Sequence, residues 1–195
     1  MNRAAKHRPN RYTVADYMLW PDDERWELIE GRAFNMSPAP TIRHQSLAGN
    51  FYSHLKRRLT GKPCTALIAP VDVVLSTEDV VQPDVLVVCD SRKITEKNIQ
   101  GPPDLVVEVL SPSTAVKDMR EKKALYQRAG VREYIVIEPL ENYVQRFFLS
   151  GDGVYGASDI FGPQEHLPLL SLPEIVIPLW EIFEVESPED EDINL

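Results

Sequence analysis

Residues 104–139 read DLVVEVLSPSTAVKDMREKKALYQRAGVREYIVIEP. Two short runs rich in β-branched residues, DLVVEVL and EYIVIEP, flank a segment from Ser113 to Gly130 with helical spacing. In that segment Ala115, Met119, Leu125, Tyr126 and Ala129 recur along one face. At about 100° per residue, Lys122 falls near the middle of the stripe, and Lys117, Arg120, Gln127 and Arg128 point the other way. Gly130 ends the helix. A strand–helix–strand unit of this length has the form of a crossover, which makes its two strands parallel. Lys122 in an apolar stripe and Glu108 in an apolar strand are both costly to bury unless paired or bound to a metal.

Working upstream, VVQPDVLVV (80–88) and TALIAPVDVVLS (65–76) read as two further strands, carrying Asp84 and Asp72. Before them, Thr41 to Thr60 reads as a long helix with an inner stripe of His44, Leu47, Ala48, Phe51, Leu55 and Leu59, ended by Gly61. RWELIEGRAFNMS (25–37) reads as a hairpin turned at Glu30-Gly31. Thr13 is placed to cap a short helix that Pro21 terminates. Downstream, ENYVQRFFLSGDGVYGASDIF (141–161) reads as a hairpin turned at Gly151-Asp152-Gly153, and LPEIVIPLWEIFE (172–184) as a closing strand or short helix. The order predicts an α+β (mixed α/β) fold, with an N-terminal helix and hairpin and a mixed central sheet flanked by helices. No glycine-rich phosphate loop appears, so a doubly wound nucleotide-binding fold is not expected.

The 195 residues suit one domain with a sizeable core. Residues 1–11 read as a loose basic arm, 12–185 as the domain, and 186–195 as a disordered acidic tail. No apolar run approaches the roughly 18 residues of a membrane span, and the basic N-terminus has no hydrophobic segment of a secretory signal. Cys64 and Cys89 stand alone, with no metal-type spacing, and a cytoplasmic location is expected. The net charge of −9 argues against a nucleic-acid partner, but seven acids and no base lie beyond residue 180. Between Glu30 and Asp72 there is no acid, while Arg32, Arg43, Lys56, Arg57, Arg58 and Lys62 are all present. That segment can supply phosphate contacts, or it is a solvated helix end favoured by the dipole.

Strand parity sets Asp84, Leu86 and Val88 on one face, and Val106, Glu108 and Leu110 on one face of the next strand. If the strands are neighbours, the two carboxylates converge. Two close acids repel unless a cation lies between them, and an all-oxygen pair suits Mg²⁺ or Mn²⁺. Lys122 could then orient a water or stabilise developing charge. The alternative is that Lys122 simply pairs with Glu108 inside the core.

The segments WELIEGRAFNMSPAPTIRHQ (26–45), VVQPDVLVVCD (80–90), GPPDLVVEVLSPST (101–114) and KDMREKKALYQRAGVREYIVIEP (117–139) resemble the Uma-two family. That group is restriction-endonuclease-like, with the PD-(D/E)XK nuclease fold. The resemblance implies that Asp84 is the aspartate of the PD pair and Glu108 the second acid. The lysine position of the simple motif is Leu110 here, and the resemblance moves the catalytic lysine to Lys122; Lys123 is the weaker candidate. Glu27 matches the acid such nucleases carry near the start of the core. His44 lies in the matched HQ pair and is expected either to pack in the core or to contact phosphate; Asp72 is expected to be structural and Tyr126 core. The implied activity is a Mg²⁺- or Mn²⁺-dependent endonuclease acting on DNA, possible as a homodimer. In that reading Asp84 and Glu108 bind the metal, and Arg43, His44, Lys56, Arg57 and Arg58 hold the phosphate backbone. The rivals are a nucleic-acid-binding module without turnover and a structural protein whose buried charges are core pairs.

Overall fold

In the computed structural model, residues 11–21, 24–36 and 39–188 are described. The expected arm and acidic tail fall largely outside them. Helix α1 (Val14–Tyr17) precedes the hairpin β1 (Trp26–Ile29) and β2 (Arg32–Asn35), then the long helix α2 (Ile42–Leu59). Strands β3 (Thr65–Ile68), β4 (Val73–Ser76), β5 (Asp79–Val81), β6 (Val85–Val88), β7 (Ile99–Gln100) and β8 (Leu105–Val109) follow. A helical segment comes next: α3 (Ala115–Lys117), a π-helical turn (Asp118–Lys122) and α4 (Lys123–Ala129). Strands β9 (Glu133–Glu138), β10 (Tyr143–Phe148), β11 (Asp159–Phe161), β12 (His166–Pro168) and β13 (Val176–Pro178) lead to helix α5 (Leu179–Phe183).

The stretch 104–139 forms the expected crossover: β8 and β9 pair in parallel, from Leu105 opposite Glu133 to Val109 opposite Ile137. They are central in a six-stranded sheet of order β11-β10-β9-β8-β6-β3, whose other pairings are antiparallel. The hairpin belongs to a second sheet, β2-β1-β5-β4-β7. Its turn uses left-handed backbone at both Glu30 (φ 51°) and Gly31 (φ 72°), the conformation a two-residue hairpin loop needs to follow strand twist. Thr13 caps α1 through a reciprocal box with Asp16.

Two expected strands each divide in two. TALIAPVDVVLS separates at the cis Ala69–Pro70 bond into β3 and β4, and VVQPDVLVV separates at Gln82-Pro83 into β5 and β6. In both cases the halves join different sheets. Proline has no N–H to donate to a ladder, so it ends pairing where it falls. The cysteines do not stand alone. Thr65 pairs with Val88, so the next pair in that antiparallel register is Cys64 with Cys89, and the two are joined as a disulfide. They therefore give no argument for a reducing compartment. No helix among the described residues is long and apolar enough to cross a membrane.

Alternation along the central strands divides the core. One side, with Val85, Val87, Val107 and Val109, packs on Leu47, Phe51 and Leu55 of α2. The other, with Leu86, Val88, Val106 and Leu110, packs on Leu125, Tyr126 and Tyr134. This second side carries the site.

Candidate active site

Three interruptions of regular structure build the site. The first is Pro83, which leaves Asp84 at the mouth of β6. Val85 pairs with Val107 and Leu86 with Val106, and the same antiparallel register sets Asp84 opposite Glu108. Asp84 Oδ2 accepts the Val109 backbone N–H at 2.8 Å, fastening it beside Glu108.

The second is the π-helical turn. In a regular α-helix, Lys117 and Lys122 would stand about 140° apart, which is why the sequence reading turns Lys117 outward. A π turn closes on the fifth residue rather than the fourth. Both ammonium groups consequently reach one carboxylate: Lys117 Nζ lies 2.6 Å from Glu27 Oε2 and Lys122 Nζ 2.7 Å from Glu27 Oε1. Lys117 belongs to the site, against expectation, and no α-helical periodicity could have revealed it.

The third is the hairpin. Glu27 on β1 is fully buried, and its Oε1 also accepts the Gln82 backbone N–H at 3.0 Å. Among the described residues the Glu27 carboxylate thus meets the two lysines and this amide, so it serves as the anchor of the lysine pair.

Lys122 connects all three. Its Nζ lies 2.7 Å from Glu108 Oε1 and 3.8 Å from Asp118 Oδ1. Tyr126, expected only as core, donates its hydroxyl to Glu108 Oε1 at 2.7 Å. Asp118, Lys122 and Tyr126 recur every four residues, a spacing that could have flagged the aspartate and tyrosine. On the open side, His44 Nε2 is 3.0 Å from Asp84 Oδ1, and its Nδ1 is buried without a hydrogen-bond partner among the described residues.

The electrostatics follow from this count of neighbours. Burial would raise the Glu27 carboxyl, but Lys122 and Lys117 outweigh it and hold it below its usual range. Glu108 shares only Lys122 and is pushed up to about 8, first by burial and then by Asp84, Asp118 and Glu27. Burial would lower the Lys122 ammonium, and Glu108, Glu27 and Asp118 instead raise it well above its ordinary value. Asp118 is also raised, chiefly by burial.

The remaining expected residues are spread out. Arg43 donates to Asn142 Oδ1 and the Phe183 carbonyl and faces Glu184, joining α2 to the α5 end. Arg58 contacts His54 Nδ1 at 2.7 Å, while Lys56 and Arg57 are exposed. Arg58 lies fourteen residues from His44 on one helix, a rise of about 21 Å. This basic group is therefore far from Asp84. Asp72 accepts from Tyr17 and Gln82 and takes no part in the lysine network.

Four carboxyl groups, Glu27, Asp84, Glu108 and Asp118, meet two ammonium groups here, and a cation beside the raised Glu108 would favour its ionised form. Among the described residues no three His, Cys, Asp or Glu side chains form a cation cage of their own. Asp84 and Glu108 offer two carboxylates, which fits Mg²⁺, an ion that keeps several waters and takes other oxygens from substrate phosphates.

The Uma2 family, described as "Putative restriction endonuclease", matches residues 14–180. Among curated proteins, the uncharacterized protein slr1290 of Synechocystis is 25% identical over 142 residues, 71% of this chain and 74% of that protein. A second Synechocystis protein, the uncharacterized sll1609, is 24% identical over 156 residues, 77% of this chain and 88% of the relative. A crystal structure from Anabaena variabilis, described as "a putative nuclease belonging to DUF820", superposes with a TM-score of 0.74 at 19% identity. That match covers 89% of this chain and 98% of the other.

Proposed function

The chain belongs to the Uma2 family, and from that premise we propose that it is a metal-dependent endonuclease hydrolysing phosphodiester bonds in DNA. The observation that carries this reading is the convergence of Asp84 and Glu108 beside a buried lysine. Asp84 and Glu108 would hold Mg²⁺ or Mn²⁺. Bound there, the ion would polarise a phosphoryl oxygen and make a nucleophile of water at neutral pH.

The protein's own groups divide the remaining work. Val109 N–H and His44 orient Asp84, and Tyr126 and Lys122 orient Glu108. Three carboxylates keep Lys122 protonated, so it acts as a fixed positive charge that positions the water and stabilises charge developing on phosphorus-bound oxygen, not as a base. Glu27 holds Lys122 and Lys117 in place. Lys56 and Arg57, about 20 Å away along α2, would meet the backbone of flanking DNA. A homodimer would present two such sites to two strands.

The closed pairing of Lys122 with Glu108 supports a second reading, in which the network is purely structural. Mn²⁺ calorimetry and plasmid cleavage separate the two. The nuclease reading expects Mn²⁺ binding that disappears in Asp84→Ala and Glu108→Ala, together with metal-dependent nicking lost in Lys122→Ala. A wild-type protein that neither binds Mn²⁺ nor cleaves any nucleic acid overturns it.

A further inference from the structure

A cavity of about 650 Å³ opens between α1, the start of β1 and the β7 region. Nothing in the site described above uses its aromatic wall. Tyr17, Trp20 and Trp26 line it, and the Trp20 ring sits at the centre of a cluster of edge-on and tilted ring contacts. Its centroid lies 5.2 Å from Tyr12, 5.4 Å from Tyr17 and 5.8 Å from Trp26. Tyr17, Trp20 and Trp26 are only half-buried. The Trp26 indole N–H is taken by Glu24 Oε2 at 2.8 Å, which fixes the ring.

The floor is polar and ordered. Arg25 donates twice to Gln82 Oε1, at 3.1 and 2.7 Å. Gln82 Nε2 and the Tyr17 hydroxyl both donate to Asp72 Oδ1, at 2.8 and 3.0 Å. Asp72 Oδ2 receives no hydrogen bond from the described residues, so a second acceptor position stands at the cavity. The lining acids Glu24, Asp72 and Glu96 outnumber Arg25 and Lys97. That balance disfavours a phosphate and favours a neutral, flat group that carries hydrogen-bond donors.

We propose that this cavity receives an unstacked nucleobase of the substrate strand, stacked on Trp20 with its exocyclic amino group on Asp72. This rests on the nuclease reading and adds to it that the strand is engaged in single-stranded or flipped form. Successive bases commonly stack on aromatic side chains in single-strand sites, and an Asp acceptor pairs with the cytosine amino group. The cavity is coupled to the scissile position through one short segment. Gln82 lies in the floor, gives its amide to Glu27, and is two residues from Asp84, at most about 7 Å of chain.

The test uses the full-length, metal-free protein and labelled single strands of about twelve nucleotides, with affinity read by anisotropy. Three strands are compared: oligodeoxycytidylate, oligodeoxythymidylate, and deoxycytidylate with a central abasic run. Trp20→Ala is expected to weaken binding of the cytosine strand about ten-fold, the loss of one base–aromatic stack. Trp20→Phe should restore most of it, and the abasic strand should bind wild type and Trp20→Ala alike. Asp72→Asn should remove a wild-type preference for cytosine over thymine. Unchanged cytosine-strand affinity in Trp20→Ala, with a native circular dichroism spectrum, overturns the stacking role. Equal wild-type binding of cytosine and thymine strands removes Asp72 from it. Base-dependent binding without any cleavage keeps the cavity's role and sinks the nuclease reading. Cleavage of DNA with Trp20→Ala binding as wild type does the opposite, and no binding of any strand by the wild type overturns the cavity's role alone.

Discussion

The two faces of the central sheet are made from the same strands and solve different physical problems. Val85, Val87, Val107 and Val109 point toward α2 and meet Leu47, Phe51 and Leu55. One residue over, Leu86, Val88 and Val106 point toward the π-turn helix, in company with Asp84 and Glu108. The first face is held by area removed from water, which is indifferent to pH. The second is held by neutralisation of buried charge, which depends on every partner being present. Stability can therefore be drawn from one face while the charged network is kept on the other.

Lys122→Ala breaks this division most severely. It leaves Glu27, Glu108 and Asp118 buried without their common cation, and the loss should reach about 3–5 kcal/mol at pH 8 in urea unfolding. On the opposite face, Leu55→Ala removes a fully buried side chain and should cost about 3 kcal/mol through cavity formation. The pH profile tells the two apart. The Lys122→Ala deficit should shrink as pH falls and the orphaned acids take up protons, while the Leu55→Ala deficit stays flat. Parallel profiles for the two variants would dissolve the contrast between the faces.

A smaller effect sharpens it in the wild-type protein without divalent cation. Glu108 has its folded-state value raised to about 8 from an ordinary 4.5. Between those values the folded state binds more protons than the unfolded one, so stability on this account falls as pH rises from about 5 to 8. Glu27, lowered in the folded state, acts only below its ordinary value, where its contribution is lost as pH falls. Lys122, raised, loses its contribution only above its ordinary 10.5. Glu108→Gln should therefore flatten the pH 5–8 slope measured by thermal unfolding. A slope unchanged in that variant would place the titration elsewhere.

The sequence made the apolar face readable, and the charged face only in part. The crossover, the hairpin turned at Glu30-Gly31 and the α2 stripe all follow from periodicity and turn chemistry, because local preference and tertiary packing agree there. The alternation that sets Leu86 and Val106 on one face also aligned Asp84 with Glu108. TALIAPVDVVLS and VVQPDVLVV each read as one strand, although the missing N–H of Pro70 and Pro83 could have marked the breaks. That each break sends the chain into another sheet was not legible, since the choice of sheet depends on partners far along the chain. Lys117 was hidden by a π turn that no α-helical wheel anticipates. Its partner Glu27 was singled out by the family resemblance alone; periodicity shows only one more strand acid, because only a fold that stacks the hairpin on that turn buries it completely.

Lys122 and Lys123 give the finest version of the comparison, since they are adjacent, chemically identical and on one helix. Lys122 enters a cage of carboxylates. Lys123 Nζ instead lies 3.8 Å from the centroid of the Phe147 ring, a contact of about 0.5–1 kcal/mol at a partly exposed position. Among the described residues no ion pair to Lys123 forms, and burial lowers its ammonium. Lys123→Ala should thus cost no more than about 1 kcal/mol in urea unfolding, with Mn²⁺ binding and its pH dependence intact. If Lys123→Ala instead removed metal binding, or matched Lys122→Ala in stability loss, the lysine that serves the site would be the wrong one of the pair.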